Sequence, residues 1–332
     1  MKVGLIQMLK KTIGTLVLTA SLFALDNLKP TYVYNASGGV TDLVENSGKL
    51  YVSTQASSVD IFDLKTKKLL KKIKVPQIED FMGDIVDAKV YNTDVLHGKV
   101  ILTVQATSGF RELYLYNGKK LEKIISTKDK LYVSKALFVD DTHIVFCLLG
   151  NTMYYYDIKT KKTLWTLEVK APDAEFNSTF ADFALNKNKT IAAVADESGD
   201  IKIVDLKQQK VIKLLADKNL DKVFKVDYKN GKIITAGQDG RCVVYDTKRN
   251  TDYTLRENHW FLIYAAALSP DGSKGAFSSD ENNNVTVFDT NTKSKLVRLT
   301  QNKMTMTNIL FLNNNEIFVA TDSPKFNYYK LK

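Results

Sequence analysis

His97, His143 and His259 are the only histidines and Cys147 and Cys242 the only cysteines, so metal or nucleophilic chemistry would have to be assembled from few parts. Zinc sites draw on spacings such as His-x-His or His-Glu-x-x-His that put two ligands side by side, and neither occurs here. Cys-x-x-Cys-His for haem, Gly-x-x-x-x-Gly-Lys for phosphate and Gly-x-Ser-x-Gly for a nucleophilic serine are also missing. The runs Asp196 to Asp200 (DESGD) and Asp280 to Asn284 (DENNN) place oxygens at alternate positions, as calcium loops do, but lack the twelve-residue span with its closing Glu. They read as tight turns. The expectation is a chain without metal, cofactor or catalytic residues, with both cysteines as buried thiols.

An acid recurs at one place in a repeating pattern: Asp63, Asp157, Asp205, Asp246 and Asp289, with Asn117 and Lys330 at the matching points. A carboxylate at a strand end accepts hydrogen bonds from backbone N–H groups two residues on and closes a turn. A catalytic Asp is expected once, whereas this one repeats, so it belongs to the scaffold.

The elements that position these residues are strands. One unit runs through the chain: an alternating strand, a turn rich in Gly, Asp or Asn, a second alternating strand, the polar strand end and a Lys-rich turn. Examples are Lys49 to Lys68 (KLYVSTQASSVDIFDLKTKK), His143 to Lys162 (HIVFCLLGNTMYYYDIKTKK) and Lys232 to Asn250 (KIITAGQDGRCVVYDTKRN). A period of mostly about 40 to 45 residues is that of four-stranded propeller blades. The expected fold is all-β, a seven-bladed β-propeller of four-stranded antiparallel blades. The last unit stops after its third strand, and the alternating segment Pro30 to Tyr34 belongs to no earlier unit, so it is expected to pair beside Phe326 to Lys330 and close the ring.

The units resemble the WD40 propeller family, most clearly where His259, Ile263, Ala266 and Leu268 precede Ser269 to Gly272 (SPDG) at the family's spacing. The family's strand-ending Trp-Asp is replaced by Phe62-Asp63, Tyr156-Asp157, Val204-Asp205, Tyr245-Asp246 and Phe288-Asp289, so its indole-centred hydrogen-bond chain cannot form in full. In overall character the chain is similar to exported accessory propellers encoded with periplasmic nitrate reductase. That resemblance implies a periplasmic, non-catalytic scaffold that assists assembly or maturation of a respiratory reductase. A quinone-dependent dehydrogenase or hydrolase on the same fold, and an envelope or outer-membrane assembly factor, stay open. Quinone propellers usually carry a docking Trp in most blades, and only Trp165 and Trp260 occur here.

Lys2, Lys10 and Lys11 precede the uncharged apolar run Ile13 to Ala24, which is short for a bilayer span and reads as a signal peptide over residues 1–24, followed by a single domain over 25–332. No membrane anchor is expected after cleavage. Loss of those lysines takes the formal charge from +10 to +7. Lysine pairs such as Lys67 and Lys68 or Lys119 and Lys120 are spread along the sequence, which predicts a solvated rim and no nucleic-acid site. An exported protein partner, such as an oxidoreductase subunit, is expected on loops between blades. The candidate contacts are Trp260, Phe261 and His259, Phe81 and Met82 in Gln77 to Asp84, and Arg241. The bland reading of His259 is that it ties its loop to Ser278 or Ser279. Asn177, in Glu175-Phe176-Asn177-Ser178-Thr179, is an Asn-x-Thr acceptor preceded two residues back by an acid, a pattern that some bacteria glycosylate.

Overall fold

The computed structural model describes residues 25–257 and 261–331. The signal-peptide expectation over residues 1–24 lies outside them. Seven four-stranded antiparallel sheets form a seven-bladed propeller. Blade 1 comprises Val40–Asn46, Lys49–Thr54, Ser58–Asp63 and Leu69–Lys74, counted from the channel outward. Blades 2 to 6 repeat this order, starting from Val90–Leu96, Val133–Phe138, Phe180–Leu185, Val223–Lys229 and Ala266–Leu268.

Strict alternation decides which neighbour each side chain packs against, because successive residues of a strand point to opposite faces. Leu50 and Val52 pack toward blade 7, while Tyr51 between them packs toward blade 2. Both faces of every blade are covered in this way. The described core accordingly divides into seven apolar clusters, one at each junction between neighbouring blades.

Blade 7 contains Met306–Asn313, Glu316–Thr321 and Lys325–Lys330, and its outer strand is the N-terminal Tyr32–Asn35. The register is Tyr32 opposite Tyr328 and Tyr34 opposite Phe326, as expected from the unpaired segment. Tyr34 stacks on Phe326 with ring centroids 5.0 Å apart and meets Phe62 of blade 1 edge-on at 5.4 Å. Burial, followed by the neighbouring Tyr32, pushes the Tyr34 phenol up to about 12. A second clasp was not legible beforehand: Asn27–Leu28 runs parallel to Lys295–Leu299, the outer strand of blade 6. The N-terminal segment therefore bridges the outer edges of two blades before entering blade 1.

At the channel, side-chain carboxylates take up backbone N–H groups of the next blade's inner strand. Asp42 accepts from Thr93 N at 3.1 Å, Asp94 from Phe138 N at 2.7 Å, Asp182 from Val226 N at 3.1 Å and Asp227 from Leu268 N at 2.9 Å. An inner sheet edge leaves such groups without strand partners, and burying them unpaired is costly. Burial drives the Asp94 carboxyl upward, with Lys189 opposing it.

Candidate functional site

Antiparallel order sorts the connections onto two faces. Turns joining first to second and third to fourth strands share one face, here the turn face. Connections between second and third strands share the other with those between blades, here the loop face.

The turn face is uniform. Asp63 Oδ1 accepts from Thr66 N at 2.6 Å, and Asp157 Oδ1 from Lys159 N and Thr160 N at 2.8 and 2.9 Å. Asp205 Oδ1 accepts from Lys207 N and Gln208 N, Asp246 Oδ1 from Lys248 N and Arg249 N, and Asp289 Oδ1 from Asn291 N and Thr292 N. Those backbone donors hold the Asp63, Asp157, Asp205 and Asp289 carboxyls below the usual carboxylate range. Four residues after each Asp stands a left-handed residue: Lys67, Lys161, Gln209, Asn250 or Lys293. The strand-end residues are thus turn scaffold, as expected. The lysine pairs Lys67 and Lys68, Lys119 and Lys120, and Lys161 and Lys162 all sit on this face, mostly exposed.

His97 and His143 also lie on the turn face, each beside a carboxylate. His97 Nδ1 is 3.0 Å from Asp141, and His143 Nδ1 is 2.9 Å from Asp140. No group of three or more His, Cys, Asp or Glu able to hold a metal occurs among the described residues. Cys147 and Cys242 are buried free thiols in blades 3 and 5, and burial raises both. No helix among the described residues is long and apolar enough to cross a membrane.

The loop face is irregular and carries exposed apolar side chains. Between blades 1 and 2 the chain forms a small hairpin, with Ile78 opposite Val86 and Glu79 opposite Ile85. Its tip holds Phe81 at 95% and Met82 at 73% exposure. Asp80 Oδ1 accepts from Met82 N at 2.8 Å and Asp84 N at 3.0 Å, and Gly83 adopts φ +89°, so the tip is shaped by its own backbone. Glu79, Asp80, Asp84 and Asp87 surround it with no basic residue between Pro76 and Ala88. The same face exposes Phe176, Leu220 and Met304, together with Tyr132 stacked on Phe110 at 4.4 Å. Sequence reasoning passed over Leu220, Met304 and Tyr132. The available signal was one apolar residue inside an otherwise polar connection.

The remaining candidates have different fates. Arg241 is engaged with the protein itself: its Nη1 donates to Lys218 O of the preceding loop at 2.7 Å and its Nε lies 3.4 Å from Asp239 of its own turn. Phe261 is half-buried and meets Tyr264 edge-on at 6.0 Å, and Tyr264 in turn stacks on Phe224. His259 and Trp260 lie outside the described residues. Ser278, one of the two expected partners of His259, accepts from Tyr264 N at 2.9 Å, and the other, Ser279, donates from Oγ to Asn284 O at 3.1 Å. Asn177 is half-buried, and its Nδ2, the atom a glycan would occupy, donates to Gly150 O at 3.1 Å. Glycosylation there requires that bond to open.

One buried charge supports this face. Lys202 Nζ contacts both Asp196 oxygens at 2.8 and 2.7 Å and Ser198 Oγ at 2.6 Å, which ties down the Asp196 to Asp200 turn of blade 4. In the channel Lys135 Nζ lies 2.6 Å from Asp182. Burial opposes the Lys135 charge, but Asp182, with Asp42 and Asp227 beyond it, raises the ammonium above its ordinary value.

No protein-family model and no curated protein matches this chain. The chain is a seven-bladed β-propeller, consistent with a divergent WD40-like ring.

Proposed function

We propose that the chain is a non-catalytic accessory scaffold that holds an exported protein on its loop face. The observation that carries this reading is the hairpin tip with Phe81 and Met82 almost fully exposed on a backbone-pinned turn. Large apolar side chains held out in solvent on a rigid support are the kind of anchor that dominates protein interfaces. Phe176 and Leu220, 77% and 66% exposed, present further apolar side chains on the same face. The acids around the tip favour a partner that surrounds an apolar pocket with basic side chains.

The finer assignment follows the resemblance to accessory propellers of periplasmic nitrate reductase. It makes the partner a respiratory reductase subunit, met in the periplasm after removal of residues 1–24 and assisted in assembly or maturation. A photo-reactive amino acid at position 81, with a second at position 119 on the turn face as control, tests both levels in intact cells. The expected result is a product at 81 that contains an exported oxidoreductase subunit. Equal products at 81 and 119 would remove the docking face, whereas a face-specific product with a different exported protein would remove only the reductase assignment.

A further inference from the structure

At the loop-face ends of the inner strands a cavity of about 270 Å³ opens across blades 2 to 5, lined by Arg111, Ser134, Leu149, Phe180, Lys222 and Phe224. Of its two cations, one is balanced by a carboxylate and the other is not. Lys135 and Lys202 each have a carboxylate within hydrogen-bond distance, and at the cavity itself Lys222 Nζ is 2.9 Å from Glu197. Arg111 makes no ion pair among the described residues. Its guanidinium lies over the Tyr91 ring, 3.9 Å from the centroid, and Nη1 donates to Ser134 O at 3.2 Å. Burial lowers the Arg111 pKa, with Tyr91 opposing the shift.

Beside it, Ser134 Oγ is buried with no hydrogen-bond partner among the described residues. A part-buried cation without a counter-charge and a buried hydroxyl without a partner each cost stability. Both costs are offset if an anion enters. Leu149, Phe180 and Phe224 line the same cavity, so apolar side chains stand beside the charged ones.

We infer that this cavity binds a carboxylate carried on a short apolar or aromatic body. The planar fork of Arg111 matches the two oxygens of a carboxylate, Ser134 Oγ donates a further hydrogen bond once it rotates out of its buried position, and the apolar body rests against Leu149, Phe180 and Phe224. The free acid of a small metabolite and the C-terminal carboxylate of an apolar polypeptide share this chemistry. The site does not depend on the hairpin at Phe81, which lies between blades 1 and 2.

Calorimetric titration of the purified mature protein with phenylacetate, phenylacetamide, inorganic phosphate and N-acetylphenylalanine tests the inference. Phenylacetate is expected to saturate at one site, and phenylacetamide to bind at least ~10-fold more weakly because it lacks the charge. N-acetylphenylalanine binding more tightly than phenylacetate assigns the site to polypeptide C-termini, and the reverse assigns it to small acids. Arg111→Gln should weaken phenylacetate by ~10-fold or more. Should that variant fail to fold, Leu149→Glu, at an exposed position on the rim, should abolish binding by placing a carboxylate in the cavity mouth. Equal binding of acid and amide, phosphate binding as tightly as phenylacetate, or no saturable binding of phenylacetate to the wild type would each overturn the inference.

Discussion

On the turn face, Asp63, Asp157, Asp205, Asp246 and Asp289 each accept turn backbone N–H groups at the same point of five blades, and each is followed at a fixed distance by a left-handed residue. On the loop face the connections differ in kind. There is a hairpin with an exposed Phe and Met between blades 1 and 2, a buried lysine beneath the turn of blade 4, and an arginine joined to the preceding loop in blade 5. The difference separates two demands on one ring. A feature that recurs in five blades answers a need those blades share, which is to end a strand and reverse. A feature made once answers a need the ring has once, and recognition is such a need.

The largest expected effect breaks the simplest form of this contrast, because the loop face also carries stability. Lys202→Met leaves Asp196 buried without its cation and should cost about 3 kcal/mol or more, read from urea denaturation. An unchanged midpoint would mean that the buried pair contributes little and that the turns alone hold the blades.

Next in size is binding. Combined Phe81→Ala and Met82→Ala should weaken the partner by about 2 kcal/mol, roughly 30-fold, with the melting temperature unchanged because both side chains are exposed. A fall in melting temperature with affinity intact would reverse the roles assigned to the two faces.

Asp289→Ala should show the opposite pattern. Loss of two backbone-to-carboxylate bonds is expected to cost about 1 kcal/mol of stability and leave partner affinity unchanged. Asp205→Ala should reproduce that cost, since the two turns are built alike. Very unequal costs would argue that the repetition is not an equal sharing of work.

The smallest expected effect is in pH dependence. Asp271, in the turn between the first two strands of blade 6, is held down to about 2: burial works against this, but Ser273 N, Ser269, Ser273 Oγ and Asn314 outweigh it. An unfolded Asp titrates near about 3.9. The lowered native value therefore stabilises the fold above about pH 4, and that contribution is lost as pH falls through about 2. Asp271→Asn should flatten part of the decline in melting temperature between those limits, and an identical decline in both proteins would contradict the assignment.

Much of the ring was legible because its determinants are local and repeated. The strand-end acids, the alternation of Val59 and Ile61 with Asp60 between them, and the unpaired segment around Tyr34 needed only periods and counting. The clasp of Asn27–Leu28 on blade 6 was not legible, because two residues are too few to show alternation. Nor was the series of inner-strand acids, since Asp42, Asp94, Asp182 and Asp227 look like ordinary polar positions until the next blade presents its backbone to them.

The candidate site divides in the same way. Phe81 and Met82 were visible as large apolar residues in an acidic loop, whereas the engagement of Arg241 with Lys218 O depends on a neighbouring loop. The cavity at Arg111 was invisible, since its lining comes from four blades and no two of its polar groups share a motif.

By itself the sequence determined the number of blades, the chemistry of their turns and the identity of the closing strand, because each is carried by residues a few positions apart or by a period that the chain repeats. Tertiary structure alone decided where those residues accumulate. Lysine pairs about 40 to 50 residues apart in the chain come onto one face, and single apolar residues from separate connections come onto the other. The physical reason is that each blade turns back on itself three times and each blade packs against the next, so position along the chain fixes the face while only closure of the ring fixes the neighbour.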